Sequence, residues 1–416
     1  MKNILAEIIT IGDEILYGQI IDTNSQWMSA ELDKVGVKIV RKTTIGDTEE
    51  EILQTLKEAE NRADIILITG GLGPTNDDLT KPCLVKYFDT RLVMNNEALE
   101  NLTSIFDKLG KPVSEVNRQQ AELPEVCEMI PNNMGTAAGM WFDKDNKTFV
   151  SMPGVPHEMK RMMTDYVIPK LQAKYQTPII YHKIVKTVGI GESDLAEIIV
   201  DWEHNLPEHI KLAYLPSLAQ VKLRLTAFGS EYKQVEREVE KQIVKLKKLV
   251  SKYIYGYNKD QLEEVVGQML LQSNQNIAVA ESCTGGYISH LITSVPGSSG
   301  YFRGGITPYQ NDIKINVLDV NSETIFEHGA VSEETVKEMA QNVRKLYHTD
   351  YGLATSGIAG PGGATPEKPV GTIWIAVANG EKTTAHKLQL WKDRELNIKS
   401  TAIALLNMTR LRLLEK

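Results

Sequence analysis

The sequence predicts an α/β protein of three domains, and three features of the chain support this. At 416 residues the chain is too long for one ordinary hydrophobic core. Its 42% hydrophobic and 24% charged residues are typical of a globular protein. Short apolar runs alternate with helical patterns near both ends, which favours strand–helix–strand units around mainly parallel sheets. Changes in this pattern place the domains at residues 1–170, 171–255 and 256–416.

The charge and the cysteines of the chain argue against several classes of protein. The net charge of −8 at pH 7 argues against a dedicated nucleic-acid binder, because neutralising phosphates needs clustered positive charge. Cys83, Cys127 and Cys283 lie far apart and form neither a disulfide framework nor a zinc-ligand pattern. No apolar run approaches the roughly 20 residues needed to span a bilayer. We therefore expect a cytoplasmic protein that makes no contact with a membrane.

The first segment predicts a mainly parallel sheet. Glu7 interrupts the apolar run that opens the chain, which suits a buried first strand better than a signal peptide. Two loops rich in glycine or proline, at 69–80 and 151–156, break the alternation of strands and helices. The predicted strands are Ile4–Ile9, Val37–Arg41 and Ile65–Thr69, and the predicted helices are Thr23–Val35, Thr48–Arg62 and Asn95–Leu109.

The second segment predicts a small α+β module. The alternating V-K-L-R-L-T at 221–226 indicates a strand with one buried and one solvent-facing side. The module ends in a charged helix, whose apolar residues at helical spacing favour a solvated amphipathic helix over a binding surface. The predicted strands are Lys183–Val188, Ile210–Leu215 and Gln220–Phe228, and the predicted helices are Asp194–Trp202 and Tyr232–Lys252.

The third segment again predicts an α/β domain, and it is large enough to fold alone. A strand at Ile277–Ala280 runs into A-E-S-C-T-G-G (280–286), after which a helix extends to Ile292. The other predicted helices are Leu262–Gln272, Ser332–Tyr347 and a terminal helix to Leu413, and the other strands are Gly352–Thr355, Thr372–Ala378 and Thr383–Gln389.

The strand-to-helix turn that contains Ser282 is a candidate nucleophile site. Gly285 and Gly286 allow the backbone to approach a ligand closely, and the first N–H groups of the following helix can bind an anion or a developing oxyanion. A serine hydroxyl needs a base nearby to act as a nucleophile. Two alternatives stay open from the turn alone: Ser282 or Thr284 is only the N-cap of the helix, or the neighbouring Cys283 is the nucleophile.

Two further segments favour a catalytic site over a helix cap. One is F-R-G-G-I-T-P-Y-Q-N-D-I-K at 302–314. The other, at 355–374, follows a strand directly and has more glycine than an ordinary loop needs. Such a loop suits recognition of a phosphate by main-chain amides, with a cluster of structural turns as the alternative.

The ordered motifs of the third segment resemble one family. A-E-S-C-T-G-G, G-G-x-x-x-Y-x-N-x-x-K, H-G-A-V-S (328–332), S-G-I-A-G-P-G-G and P-E-K-P-V-G-T-x-W occur in that order. They resemble the C-terminal domain of the competence/damage-inducible protein CinA family, which includes bacterial nicotinamide mononucleotide amidohydrolases. The resemblance implies Ser282 as the nucleophile, Lys314 as its base and Tyr309 as a catalytic or positioning residue, with no cofactor.

The same resemblance implies a set of substrate-binding residues. They are Thr284, Gly285, Gly286, Asn311, Ser356, Gly357, Gly360, Gly362, Gly363 and Arg394. The 5′-phosphate of the substrate could lie against Arg394 or against the Gly360–Gly363 loop, and the sequence does not choose between them. Pro308 departs from the family pattern and restrains the backbone before Tyr309. Because the spacing of Tyr309, Asn311 and Lys314 is kept, we still expect activity.

The loop at 69–80 in the first segment has the composition of a diphosphate site. Its glycines can bind a diphosphate through backbone N–H groups, and nearby carboxylates can hold the divalent cation that neutralises the charge. The alternative is that these acids are helix N-caps and first-turn residues. The candidate nucleotide-binding residues are Gly70, Gly71, Gly73, Asp78 and Thr80, and the candidate metal ligands are Asp47 and Asp78.

Motifs in the first two segments resemble the same family. I-G-D-E-I-L-Y-G-Q-I-I-D-T-N-S (11–25), the 69–80 loop, N-R-Q-Q-A-E-L-P (117–124), N-x-M-G-T-A-A-G (132–139) and M-P-G-V-P-H-E-M (152–159) occur in family order. They imply a molybdopterin-binding-like α/β sandwich at 1–170, and G-I-G-E-S with V-K-L-R-L-T-A implies a KH-like connector at 171–255. The resemblance further implies ADP-ribose pyrophosphatase activity with cobalt or magnesium, and a homodimer.

Three functions follow as hypotheses. The first is a pyridine-nucleotide salvage enzyme that deamidates nicotinamide mononucleotide at one end and cleaves ADP-ribose at the other. The second is a non-catalytic competence or DNA-damage factor that binds a nucleotide or a partner protein. The third is a factor in molybdenum cofactor assembly that binds molybdopterin in the first domain.

Overall fold

The computed structural model describes residues 4–75, 77–177 and 179–415. By its internal contacts the chain divides into two compact units. One holds the residues up to 181 together with 228–235, and the other holds 182–227 together with 236–416. No helix among the described residues is long and apolar enough to cross a membrane.

The first unit is built around a mixed sheet that is parallel on one side. Its six described strands lie in the order β2-β1-β3-β8-β7-β6. The pairs β1–β2, β1–β3 and β3–β8 are parallel, whereas β6–β7 and β7–β8 are antiparallel. The strands are β1 (Ile4–Ile11), β2 (Val37–Ile45), β3 (Ile65–Thr69), β4 (Leu92–Met94), β5 (Glu122–Pro124), β6 (Glu128–Ile130), β7 (Gly139–Lys144) and β8 (Lys147–Met152), with β4 and β5 forming a separate pair.

Helices of this unit pack on the sheet, so that β3 is buried along its whole length. The three strands and three helices predicted for the segment are confirmed, with ends that shift by at most four residues. The helices are α1 (Asp13–Leu16), α2 (Thr23–Lys34), α3 (Glu49–Arg62), α4 (Thr80–Tyr87), α5 (Asn96–Lys108), α6 (Glu115–Gln119), α7 (Pro156–Met162) and α8 (Ile168–Tyr175), with one π-helical turn at Met163–Val167 between the last two.

Glu7 lies on β1, next to the edge strand β2, without exposure to solvent. The guanidinium of Arg62 donates two hydrogen bonds of 3.0 Å to its carboxylate, and the Thr43 hydroxyl donates a third at 2.9 Å. A buried carboxylate is stable only when it is paired in this way. The apolar run of β1 therefore tolerates an acid because α3 and β2 supply its partners.

The remaining strands form two further sheets. The connector sheet has the order β10-β11-β9-β12, and the C-terminal sheet has the order β14-β13-β15-β16-β17. The predicted alternation in V-K-L-R-L-T is confirmed, because Val221, Leu223 and Leu225 are buried and the residues between them are not. The strands are β9 (Ile179–Val188), β10 (Ile210–Ser217), β11 (Gln220–Gly229), β12 (Ile254–Tyr257), β13 (Ile277–Glu281), β14 (Phe302–Ile306), β15 (Tyr351–Gly357), β16 (Thr372–Ala378) and β17 (Thr383–Gln389).

In the C-terminal sheet, β13 lies between two parallel neighbours, β14 and β15, whereas the pairs β15–β16 and β16–β17 are antiparallel. Apolar clusters on the two faces of this sheet bury β13 completely. The helices are α9 (Glu192–His204), α10 (Tyr232–Val250), α11 (Leu262–Gln272), α12 (Tyr287–Thr293), α13 (Asn311–Asn316), α14 (Ser322–His328), α15 (Glu333–Leu346) and α16 (Arg394–Leu414). The carboxyl end of β13 therefore presents Ser282 beside the ends of β14 and β15.

We predict that Arg62→Met lowers the free energy of unfolding by about 2–3 kcal/mol, because it leaves the buried carboxylate of Glu7 without its charged partner. Urea unfolding followed by circular dichroism measures the change. The control is Arg91→Met, which removes an arginine with the same two-bond pairing to a carboxylate, Glu125, at an exposed site. That variant should lose no more than about 1 kcal/mol. Equal losses in the two variants would contradict the role assigned to Glu7.

Candidate functional site

Ser282 sits on a tight turn that is fixed to the neighbouring strand. Its side chain is largely buried, and its N–H donates to the Thr355 carbonyl oxygen at 3.0 Å. Behind it, the hydroxyls of Thr284 and Thr355 lie 2.9 Å apart. Gly285 and Gly286 have φ angles of 60° and 100°, in the region that favours glycine, so they allow the chain to turn into α12. The turn thus holds Ser282 at a defined position at the edge of the sheet.

The N-terminus of α12 is occupied by a carboxylate of the chain itself. Glu281 is 1% exposed and accepts hydrogen bonds from the N–H groups of Gly286 (3.1 Å), Ile288 (3.0 Å) and Ser289 (2.8 Å). The helix start is therefore not available to a substrate anion. The hydroxyl of Ser282 does not cap α12, and neither does that of Thr284, so the N-cap alternative is wrong.

Within this turn, the hydrogen bonds limit which groups can stabilise an oxyanion. The N–H of Ser282 donates to Thr355, that of Gly285 to the Ser282 carbonyl oxygen, and that of Gly286 to Glu281. In the described turn, Cys283 and Thr284 are the residues whose N–H groups donate to no backbone or side-chain acceptor. They are the free donors closest in sequence to Ser282.

Lys314 approaches Ser282 from α13 and is almost completely buried. Its Nζ lies 3.2 Å from Ser282 Oγ, and it donates to the carbonyl oxygens of Pro308 (2.8 Å) and Tyr309 (3.1 Å). No carboxylate of the described residues forms an ion pair with it, and burial lowers the pKa of Lys314 from its ordinary value. A lysine with a lowered pKa can be neutral and accept the serine proton. Pro308, the departure from the family pattern, provides one of the carbonyls that hold this lysine.

Tyr309 and Arg394 form the outer side of the site. Tyr309 is half-exposed, and its hydroxyl accepts a hydrogen bond of 2.9 Å from Arg394. Arg394 also donates to the Gly360 carbonyl oxygen at 2.8 Å. The guanidinium has five N–H donors, so donors remain for an anionic substrate group. Ser356 is buried, and its hydroxyl donates to the Ala330 carbonyl oxygen at 2.5 Å.

These residues enclose a cavity of about 200 Å³. Predicted site residues that line it are Ser282, Tyr309, Asn311, Lys314, Ser356, Gly357 and Arg394. Predicted residues outside its lining are Thr284, Gly285, Gly286, Gly360, Gly362 and Gly363. Lining residues that were not predicted to bind substrate are Cys283, Ala330, Val331 and Ala359. All four lie in motifs already quoted from the sequence: Cys283 in A-E-S-C-T-G-G, Ala330 and Val331 in H-G-A-V-S, and Ala359 in S-G-I-A-G-P-G-G.

Cys283 is a poor nucleophile at this site. Its side chain packs in the core cluster beside β13, and burial raises the pKa of its thiol to about 12. A cysteine attacks as the thiolate, which such a pKa makes rare at neutral pH. The geometry therefore favours Ser282 over its neighbour.

A larger cavity, of about 480 Å³, lies in the first unit at the carboxyl ends of β1, β3 and β8. Ligands of open α/β sheets bind at such ends. Gly70 has a φ of 109°, and a Cβ there would lie 2.1 Å from the Ile11 carbonyl oxygen. At Gly71, where φ is 63°, a Cβ would lie 2.3 Å from the Thr80 hydroxyl. Both positions therefore require glycine for the loop to pack against β1 and α4.

Asp78 and Thr80 hold this glycine loop in place. The carboxylate of Asp78 accepts hydrogen bonds from the N–H groups of Gly73 (2.8 Å) and Thr75 (2.9 Å) and from the Thr75 hydroxyl (2.5 Å). The Thr80 hydroxyl donates to the Gly70 carbonyl oxygen at 2.9 Å. Asp78 lines the cavity, whereas Thr80 does not and lies buried behind the loop. Both side chains thus make bonds that shape the loop.

Asp47 lies on the acidic side of the same cavity. Burial raises the pKa of its carboxyl, and the nearby charges of Asp13, Glu14 and Asp77 raise it further. In residues 4–75, 77–177 and 179–415, no group of three or more His, Cys, Asp or Glu side chains is arranged to hold a metal. Mg²⁺ usually takes one or two carboxylates together with substrate phosphates, so Asp47 fits a cation bound jointly with a diphosphate.

Two polar residues of this cavity were missed. Asn24 donates to the Gly154 carbonyl oxygen at 2.7 Å, while its own carbonyl oxygen has no partner among the described residues. Gln120 likewise has a buried side-chain oxygen with no partner in the described part of the chain. Both residues line the cavity. Both lie in motifs quoted from the sequence, Asn24 in 11–25 and Gln120 in 117–124. An asparagine beside a helix start is equally well explained as a helix cap.

Comparison with known families gives three matches that together cover most of the chain. A CinA C-terminal domain matches residues 259–413, a probable molybdopterin binding domain matches 7–173, and a damage-inducible protein CinA KH domain matches 182–256. The order of the three matches is that of the three predicted domains.

Similar proteins extend over the whole chain. A CinA-like protein of Cytophaga hutchinsonii is 52% identical over 99% of both chains, and one of Flavobacterium psychrophilum is 45% identical over 94% of both. Among solved structures, the competence/damage inducible protein CihA from Agrobacterium tumefaciens is 31% identical. It covers 37% of this chain and 96% of its own, with a TM-score of 0.35.

Proposed function

Because the chain belongs to the CinA family, we propose that its C-terminal domain is a serine amidohydrolase that converts nicotinamide mononucleotide and water to nicotinate mononucleotide and ammonia. The observation that carries the proposal is the 3.2 Å contact between Ser282 Oγ and the buried Nζ of Lys314. A nucleophile and its base within hydrogen-bond reach are the minimum requirement for this chemistry.

The first half of the reaction forms an acyl-enzyme. Neutral Lys314 takes the proton of Ser282 as Oγ bonds to the carboxamide carbon, and the carbonyl oxygen becomes an oxyanion. The N–H groups of Cys283 and Thr284 are the donors proposed to stabilise it. Lys314 then returns its proton to the departing nitrogen, the C–N bond breaks, and ammonia leaves.

The second half of the reaction hydrolyses the acyl-enzyme, with water as the nucleophile and Ser282 as the leaving group. Water takes the place of ammonia, Lys314 removes a proton from it, and the resulting hydroxide attacks the ester carbon. The Ser282 oxygen leaves and regains the proton from Lys314, which restores the enzyme and releases the carboxylic acid. The same base thus serves both steps.

The cavity has charges that suit this substrate. Its described lining holds no carboxylate, so the carboxylate that forms on the product meets no like charge there. The substrate's pyridinium would further lower the pKa of Lys314 by like-charge repulsion. Arg394 is the proposed partner of the 5′-phosphate, because guanidinium donors remain after its bonds to Tyr309 and Gly360.

We predict that Ser282→Ala abolishes ammonia release from nicotinamide mononucleotide, because no other hydroxyl of the described residues lies in contact with Lys314 Nζ. A coupled ammonia assay on the purified chain measures this. Ser294→Ala, at an exposed serine after α12, should retain full activity. Full activity in Ser282→Ala, or no ammonia from the unaltered protein, would refute the proposal.

The pH profile of the amidase tests the role of Lys314. Only the neutral amine accepts a proton, so the rate should rise with pH and level off above a pKa that burial has lowered from about 10.4. Lys314→Arg keeps a positive charge at every pH and should lose about 10²- to 10⁴-fold in rate. Lys387→Arg, at an exposed position of β17, serves as the control. A rate that falls as the pH rises through neutrality would contradict the assignment.

We further propose that the N-terminal domain hydrolyses ADP-ribose to AMP and ribose 5-phosphate with a divalent cation, cobalt or magnesium. The observation in favour is the cavity in which a glycine loop faces Asp47 and its acidic neighbours. A bound cation would neutralise the diphosphate. Asp47 would hold it, and those loop N–H groups that do not donate to Asp78 would orient the phosphates.

AMP release should depend on the added cation and should fall about tenfold or more in Asp47→Asn, because one of few possible ligands is lost. Chromatography of the nucleotide products measures it, with Asp107→Asn on exposed α5 as the control. ADP-ribose binding without AMP release would instead support the non-catalytic binding function. Tight binding of molybdopterin without ADP-ribose binding would support cofactor assembly.

A further inference from the structure

Glu281, the residue before the proposed nucleophile, has its carboxylate completely engaged with α12. Besides the three N–H groups already described, the Ser289 hydroxyl donates to it at 2.7 Å. The side chain is 1% exposed and forms no ion pair with Lys314 or any other described residue. Ser282 lies beyond the end of β13, and its hydroxyl makes no hydrogen bond to this carboxylate among the described residues, whereas it contacts Lys314 Nζ at 3.2 Å. Glu281 can therefore be neither the base nor an acid for Ser282.

The Glu281 carboxylate closes the turn that contains Ser282, residues 281–286, into a hydrogen-bonded ring. Residues 281 to 286 leave β13 and return to the Glu281 side chain through the Gly286 N–H. On the opposite side, Thr355 holds the same turn through the Ser282 N–H and the Thr284 hydroxyl. Gly285 and Gly286 would otherwise allow this segment many conformations, since glycine restricts the backbone least. The turn is thus fixed at two points, and Glu281 is one of them.

The packing of α12 against β14 depends on the same contact. Ser289 places its hydroxyl between Glu281 and β14, where a Cβ on Gly305 would come within 2.5 Å of it. The position of α12 relative to the sheet is therefore coupled to the hydrogen bonds of Glu281. A change at the carboxylate would move the glycines that precede the helix and, with them, Cys283 and Thr284.

We infer that Glu281 is a positioning residue of the amidase, which orients the N–H groups of Cys283 and Thr284 toward the oxyanion formed at Ser282. The inference rests on the proposed amidohydrolase function. An oxyanion donor contributes only when it lies at the place where negative charge develops. A small rotation of the turn therefore weakens binding of the transition state more than it weakens binding of the product. The product carries no oxyanion on a tetrahedral carbon.

The test compares Glu281→Gln with Glu323→Gln, a matched change at an exposed acid in the first turn of α14. In Glu281→Gln, the amide nitrogen faces N–H donors and cannot accept from them. We expect kcat for ammonia release to fall about 10- to 100-fold, whereas the Kd of nicotinate mononucleotide, measured by calorimetry, changes less than about threefold. The control should match the unaltered protein in both measurements.

A second variant keeps the test decisive if Glu281→Gln does not fold. Ser289→Ala removes one of the four donors to the carboxylate, and kcat should fall about three- to tenfold with an unchanged product Kd. An unchanged kcat in a folded variant, or a product affinity that falls as much as kcat, would overturn the inference. Absence of ammonia release from the unaltered protein would instead refute the proposed function, and this inference with it.

Discussion

Lys314 reaches Ser282 through the interior of the protein, and its ammonium group would be strongly unfavourable there without partners. Two backbone carbonyls and one hydroxyl surround it, and no described carboxylate pairs with it. Carbonyl oxygens orient an amine without fixing its positive charge as an ion pair would. The lysine can therefore lose its proton, and the proposed chemistry of the C-terminal domain depends on this one environment.

The fold provides this environment through the ends of adjacent strands. Ser282 follows β13, Pro308 and Tyr309 follow β14, and Ser356 lies near the end of β15. Because β13 is parallel to both neighbours, these three ends meet at one edge of the sheet. Residues far apart in sequence come together there, and the buried sheet beneath limits their movement.

The two candidate sites differ in the sign of their charge. Lys314 and Arg394 line the C-terminal cavity, which has no carboxylate in its described lining. The N-terminal cavity is lined by several acids, and burial, followed by the charges of neighbouring acids, raises the pKa of Asp47. A diphosphate would therefore need a cation in the N-terminal cavity, whereas the C-terminal cavity presents the guanidinium of Arg394 directly to an anionic substrate. This difference is one reason for proposing that a divalent cation assists the cleavage of ADP-ribose.

Sequence patterns predicted the regular α/β elements well, and the reasons for the misses are local. The β7–β8 hairpin was missed because it turns through Asp145 and Asn146, whose φ angles of 49° and 64° mark a two-residue turn without the usual glycine. β14 was not predicted because its two glycines interrupt the apolar pattern that is typical of a strand. The order of the motifs, through the family resemblance, allowed Ser282 and Lys314 to be predicted as nucleophile and base of one site. The role of Glu281 could not be predicted, because its partners become neighbours only when α12 packs.

The most direct test of the central claim is to identify the residue that carries the acyl group during turnover. The unaltered protein is mixed with nicotinamide mononucleotide, quenched in acid within milliseconds, digested, and analysed by peptide mass spectrometry. If Ser282 is the nucleophile, the peptide that contains residues 280–286 carries the nicotinate mononucleotide acyl group as an ester on Ser282. An adduct on Cys283, or ammonia release with no covalent adduct at any quench time or pH, would contradict it.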